Sequence, residues 1–316
     1  MRKCKGLTLT ELMIALLLAT FLLGVTFTAF GSLSRSVRQT QQLAQLQQNA
    51  QLVMNLLHNE LANVGFWGGR SDLDDILQAA ALAPPLADCA KAGLDSGSFP
   101  QPGQSFVTLY AEKVQPGRPL DCVSQPIAGS ELLQVKRLLG QYAVPAAMRQ
   151  NRFYVETDWQ HARFVDSGSA ELNPALDYFP YQHLVLYLQT QQHDDTEVPV
   201  LMRKRLARSN SGQAVISTDS VLDGVERMHF QFGVDADGDG SLNYMLPTEQ
   251  MTAELWQRNA VVSLRYHILL RSTQPDIHYR NNQTYQLGVH RFTAPDDHYR
   301  RLLISNSVYF SNATLN

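Results

Sequence analysis

The sequence predicts an α+β fold, with one long N-terminal helix packed on a strand-rich antiparallel sheet domain. Three observations predict it. An apolar run near the N-terminus passes, without a proline, into a polar stretch whose apolar residues recur at helical spacing. Gly65, followed closely by Gly68 and Gly69, closes that pattern. The remaining chain breaks into short runs of β-branched and aromatic residues set apart by turn residues. Charged residues are 17% and hydrophobic residues 44%, the composition of an ordinary globular protein rather than a disordered one.

The N-terminal element comes first. Arg2, Lys3 and Lys5 precede Gly6, one acid follows at Glu11, and residues 12–34 carry no charge. A spanning helix needs about 20 apolar residues, and the basic flank puts the N-terminus in the cytoplasm and the rest outside. A plain signal anchor and a cleaved secretory signal peptide are the simplest readings. Both leave Glu11 without a purpose, and an unpaired acid at the lip of a bilayer-length run is costly.

The helix is expected to continue beyond the apolar run. Leu43, Leu46, Ala50, Val53, Leu57, Leu61 and Val64 recur in steps of three and four, one stripe of an amphipathic helix. A continuous helix over 7–64 would be roughly 87 Å long at ~1.5 Å per residue. It would be half anchor and half scaffold.

Prolines and glycines punctuate 71–128, which reads as an elaborated loop region with one short strand near 106–110. Further strands are predicted at 131–138, 152–157, 183–189, 198–206, 224–234, 261–272 and 303–310. A short helix over 248–257 takes Thr248 as its N-cap. No repeat and no linker divides the globular part, 65–316.

Two sets of residues carry a family resemblance. Lys5-Gly6-Leu7-Thr8-Leu9-Thr10-Glu11-Leu12-Met13 resembles the class III signal of type IV prepilins. The resemblance implies a cytoplasmic leader, 1–6, cut between Gly6 and Leu7 by prepilin peptidase, with N-methylation of Leu7. It makes 7–34 the transmembrane and filament-core helix and 35–64 its amphipathic continuation. Glu11 becomes an assembly contact. Leu7 stands where phenylalanine is usual, and Thr10 where a branched aliphatic residue is common.

Further on, Asp223-Gly224-Val225-Glu226-Arg227-Met228, the run from Phe232 to Gly240, Leu269-Leu270-Arg271-Ser272 and Tyr299-Arg300-Arg301 are similar to the PilW family of minor type IV pilins. That resemblance implies a type IV pilin-like fold and a subunit that helps initiate a pilus. Its implied partners are other minor pilins, the major pilin and a large tip adhesin of the PilC/PilY type. Its implied location is the bacterial inner membrane, with the C-terminal domain in the periplasm, and then the pilus near its tip. A pseudopilin of a type II secretion system shares the leader logic. A membrane-anchored periplasmic enzyme or ligand-binding module is the alternative from another class. The formal net charge of −3 and the lack of a long basic run predict no direct nucleic-acid role.

Cys4 lies in the leader, which leaves Cys89 and Cys122 as an even pair facing an oxidising compartment. A bond between them would close a loop of about 34 residues. Two buried free thiols are the alternative, and no CxxC spacing points to zinc.

Asp235, Asp237 and Asp239 alternate, and Gly240, Ser241 and Asn243 follow. This is the opening of a calcium loop, in which alternate carboxylates converge on a hard cation. Ser241 would offer its carbonyl and Asn243 a side-chain or water-mediated ligand. Leu246 occupies the position where a bidentate acid is expected, with Glu249 as a further candidate three residues on. An acidic β-turn without metal is the other reading.

No HExxH, Walker A, GxGxxG or GxSxG motif occurs. His193-Asp194-Asp195 and Asp296-Asp297-His298 read as solvated loop clusters. Trp67 and Trp159 read as core or interface anchors. The sequence therefore predicts a structural protein rather than an enzyme.

Overall fold

The computed structural model describes residues 8–69, 82–115, 119–157, 162–169, 172–193 and 196–313. Helix α1 runs over Leu9–Leu61, ending at the C-cap Ala62 rather than at residue 64. Its backbone unwinds through a turn to Gly65, whose φ of 82° is a conformation that glycine adopts without strain.

Among the described residues, thirteen strands and one short α-helix follow. In chain order the strands are β1 (Leu109–Lys113), β2 (Glu131–Leu138), β3 (Phe153–Thr157), β4 (Ala162–Asp166), β5 (Asp177–His193), β6 (Thr196–Arg208), β7 (Ala214–Asp223), β8 (Val225–Val234) and β9 (Tyr244–Pro247). Helix α2 (Ala253–Gln257) precedes β10 (Val261–Arg271), β11 (Thr284–Leu287), β12 (His290–Thr293) and β13 (Arg301–Tyr309).

The strands form two main sheets, both antiparallel. The larger has seven strands and branches at β5, a strand of 17 residues. The start of β5 pairs with β3, its middle with β2, and its second half with β6. The smaller sheet is ordered β13-β10-β8-β9, and β11 and β12 form a separate hairpin.

The two sheets are joined at Gly224, the single residue between β7 and β8. Its N–H donates to the Pro199 carbonyl at 2.7 Å, and its carbonyl accepts the Arg271 N–H at 2.7 Å. Its φ is +86°, and a Cβ there would stand 2.4 Å from the Arg271 carbonyl oxygen.

The main core lies between the C-terminal half of α1 and the inner faces of both sheets. Leu46, Ala50, Val53, Leu57 and Leu61 are buried on one face of α1, and Val64 follows them. Leu43, at the outer end of the predicted stripe, is exposed. A second core is largely aromatic: Trp67, Phe99, Phe106, Phe153, Phe164, Phe179 and Tyr181. Trp67 is thus a core residue, while Trp159 lies outside the described residues. Cys89 and Cys122 form a disulfide, with Cα atoms 4.8 Å apart, that ties the irregular region to the main core.

Several sequence expectations need correction. The strand placed near 106–110 begins three residues later, and its partner β2 sets that register through Leu109↔Val135. Strands β4, β7, β9, β11 and β12 escaped the pattern. β7 is a partly exposed edge, and β9, β11 and β12 have four residues each, too few for alternation to register. Thr248 does not cap a helix. It opens a short 3-10 turn, and its hydroxyl bonds Glu131. Thr252 caps α2 instead, accepting the Leu255 N–H.

Candidate functional site

The candidate functional residues fall at three places. The first is the free end of α1. Every residue from Thr8 to Phe30 is exposed, including Leu12, Ile14, Leu17, Phe21 and Phe27. By length and composition this helix can cross a membrane. At its start, the Thr8 side chain accepts the Glu11 N–H, and the Glu11 carboxylate accepts the Thr8 N–H and hydroxyl. This is a capping box, written in the sequence as Thr8-Leu9-Thr10-Glu11. Reading Glu11 only as an assembly contact leaves this local role out. Gly6 and Leu7, the expected cleavage pair, lie outside the described residues. Where α1 enters the domain, Arg35, Arg38 and Gln42 line a cleft of about 330 Å³ with Ile277, His278 and Arg300.

The second place is the loop from Asp235 to Asn243, between β8 and β9. One carboxylate oxygen from each of Asp235, Asp237 and Asp239 lies within 4.8 Å of the others. Asp235 is nearly buried and accepts the Gly238 N–H at 2.7 Å and the Gly240 N–H at 2.8 Å. Burial alone would raise its pKa, but these donors outweigh burial and hold it below the ordinary carboxylate value. The Ser241 N–H donates to Asp239, and Asn243 Oδ1 accepts the Ala236 N–H at 2.6 Å. Glu249 is not gathered with these aspartates. It pairs with Lys113 at 2.8 Å and His290 at 3.0 Å, on the Thr248–Gln250 turn.

The third place joins both sheets and the hairpin, and the sequence did not reveal it. Glu131 is fully buried at the start of β2. Its Oε1 lies 2.7 Å from Nδ1 of His229 on β8 and 3.5 Å from Nε2 of His290 on β12. Its Oε2 accepts the Phe230 N–H at 2.9 Å and the Thr248 hydroxyl. The His229 and His290 rings stack with centroids 4.3 Å apart. Burial and the neighbouring His229 hold His290 below the ordinary imidazole pKa. These residues are far apart in sequence, and no spacing motif links them.

Residue types used in hydrolysis do meet beside Cys89, whose N–H bonds Asp88, but in the wrong order. Ser98 Oγ donates to Asp88 Oδ1 at 2.5 Å and lies 3.0 Å from His183 Nδ1. The serine stands between acid and imidazole, so the imidazole is not the group the acid orients. Ser98 and His183 are both fully buried. Asp297, read from sequence as solvated, instead forks onto the buried Arg301 at 2.6 and 2.7 Å. His298 bonds the Tyr279 carbonyl at 2.6 Å. His193 stays on the surface, 3.8 Å from Asp223.

Residues 185–312 match the family model described as Type IV Pilus-assembly protein W, which spans the second half of β5 through the end of the smaller sheet. Residues 1–27 match the Prokaryotic N-terminal methylation motif. No curated protein and no solved structure matches the chain. A methylation-motif leader on a helix whose bare half fits a bilayer describes a single-pass inner-membrane protein that later enters a pilus. The leader motif at one end and the assembly-protein match at the other support a type IV pilus minor pilin with a prepilin-like leader.

Proposed function

We propose that this pilin works in the minor-pilin complex that primes assembly of a type IV pilus, at or near the tip of the fibre. The observation that carries the reading is the division of α1. Its first half is bare and apolar, ready for bilayer or filament core, and its second half is sealed into a large two-sheet domain. A domain of this bulk suits a subunit used in few copies better than one repeated along a thin fibre.

In this reading, prepilin peptidase cuts between Gly6 and Leu7 and Leu7 is methylated. Residues 7–34 then leave the bilayer for the filament core, 35–64 act as scaffold, and 65–316 form the periplasmic domain. Glu11 pairs with the N-terminal amine of a neighbouring subunit. Such a desolvated pair adds little net stability, but an unpaired member is heavily penalised, so it sets register. The partners are other minor pilins, the major pilin and a PilC/PilY-type adhesin. The role is structural, with no catalysed reaction.

Calcium at Asp235, Asp237 and Asp239 belongs to the same proposal. The clustering of the three carboxylates within 4.8 Å supports it, since a divalent cation would relieve their repulsion. Calcium should raise the Tm of the wild-type chain and leave Asp239→Ala unmoved; equal behaviour of the two chains would remove the ion from the account.

The decisive experiment deletes the gene and scores piliation, twitching, DNA uptake and secreted enzymes separately. Loss of pili with secretion intact is expected. Lost secretion with normal pili would move the chain to a type II secretion pseudopilus. Co-purification of the full chain in detergent with candidate minor pilins then identifies its neighbours.

A further inference from the structure

We propose that Glu131, His229 and His290 bind a divalent cation of the zinc class, and that this ion pins the β11–β12 hairpin to the junction of the two sheets. The proposal does not depend on the pilus reading. One donor atom from each residue lies within 4.8 Å of the other two. Two imidazoles and one carboxylate are a donor set that holds zinc, leaving one tetrahedral position for water or for Glu249.

The spacing suits an ion. Around tetrahedral zinc, with bonds of ~2.0–2.1 Å, adjacent donor atoms lie roughly 3.3 Å apart. The observed separations, 2.7 Å from Glu131 to His229 and 3.5 Å from Glu131 to His290, bracket that value. The ion would replace the proton now shared between His229 Nδ1 and Glu131 Oε1, which passes to solvent.

The surroundings suit one too. Glu131 Oε2 is held by the Phe230 N–H and the Thr248 hydroxyl, so the carboxylate stays aimed while Oε1 turns to the metal. His229 is fixed by its place in the middle of the smaller sheet, opposite His267. The partly exposed side chains of His290 and Glu249 give the ion an entry path.

The hairpin, in turn, is lightly anchored, with Phe292 against the guanidinium groups of Arg227 and Arg301 at 4.9 and 5.6 Å. Within its two strands only Leu287 is buried, and an isolated two-stranded ribbon is marginal in water. His290 pairs directly with Leu287 across the Gly288-Val289 turn. A metal bond at His290 therefore fastens the hairpin next to the one buried residue of its two strands.

The test uses the full chain in detergent, stripped with chelator, loaded with Zn²⁺ or Co²⁺ and dialysed. About one equivalent of zinc is expected to remain, together with the strong visible absorption of tetrahedral cobalt. His290→Ala should lose the retained zinc and the cobalt band, whereas Asp235→Asn should keep both. Zinc retained equally by His290→Ala would overturn the proposal. So would a wild-type chain that keeps no zinc, or whose cobalt spectrum is the weak one of an octahedral ion. The wild-type cobalt spectrum needs no substitution, so the proposal stays testable if a variant fails to fold.

Discussion

Glu11 and Thr8 hold each other at the start of α1. Glu11 Oε2 accepts the Thr8 N–H at 2.9 Å and the Thr8 hydroxyl at 2.8 Å, while Thr8 Oγ1 accepts the Glu11 N–H at 3.3 Å. The acid that the assembly proposal pairs with a neighbour is therefore also the local cap of its own helix. The two roles separate by substitution. Glu11→Ala removes both, and Glu11→Gln keeps a side chain that can close the box but carries no charge. The cap is one local exposed interaction, too little to prevent insertion of so long an apolar helix. Both variants should be processed to mature size on immunoblot, and neither should enter sheared pili. Normal incorporation of Glu11→Gln would reduce Glu11 to a cap.

Lys136 sets a pH dependence. It is fully buried, donates to the Val107 carbonyl at 2.6 Å and lies 4.4 Å from the centre of the Phe106 ring. Burial lowers its pKa to about 7, against the pull of Asp95 and Asp88. An unfolded lysine titrates near 10.4. Between these values the unfolded chain binds the extra proton, so stability rises with pH from about 7 towards 10. Below pH 7 both states are protonated and the full burial cost remains. Urea unfolding should show a gain on the order of 2 kcal/mol between pH 7 and pH 9. Lys136→Met should flatten that rise whatever its absolute stability, and parallel pH profiles for the two chains would contradict the assignment.

What the sequence made legible was whatever rests on local period. The stripe from Leu46 to Leu61 is buried on one face of α1, and strands 131–138 and 261–272 appear within a residue of their predicted ends. The pair Cys89 and Cys122 was legible by parity and compartment. The histidine cluster was not, because Glu131, His229 and His290 meet only through the pairing of distant strands and a hairpin tip. Asp297 was misread for the same reason. Its partner Arg301 is four residues away in sequence, but that side chain is buried and is also held by Glu226 on distant β8, which no local pattern shows.

Arg301 is accordingly the residue whose loss should cost most in the smaller sheet. Its side chain has no exposed surface, and its guanidinium forks onto Glu226 at 2.6 and 2.8 Å as well as onto Asp297. Both carboxylates hold it above the ordinary guanidinium pKa despite burial, and it in turn holds Asp297 low. Arg301→Ala strands two partly buried acids and should cost about 3–5 kcal/mol. Arg301→Lys should recover only part of this, since one ammonium cannot satisfy two forks. Denaturant unfolding measures both, and a loss below about 1 kcal/mol for the alanine variant would place the pair among ordinary surface bridges.

Gly224 should be the least replaceable glycine, and the reason can be isolated. A left-handed backbone costs an L-residue about 1–2 kcal/mol by itself. Gly129, with φ +78° and no atom within 4 Å of a built Cβ, reports that cost alone. At Gly224 the same conformation, φ +86°, adds a Cβ 2.4 Å from the Arg271 carbonyl oxygen. Arg271 cannot retreat cheaply, because its N–H is bonded to the Gly224 carbonyl at 2.7 Å and its strand pairs with β8 and β13. Relief must come from the Gly224 side, where the N–H is bonded to Pro199 of the larger sheet. An added methyl therefore pries the two sheets apart at their covalent joint. Gly224→Ala should cost at least about twice as much as Gly129→Ala in denaturant unfolding. Equal losses would mean that the joint yields freely and that the packing of the two sheets does not depend on this crossing.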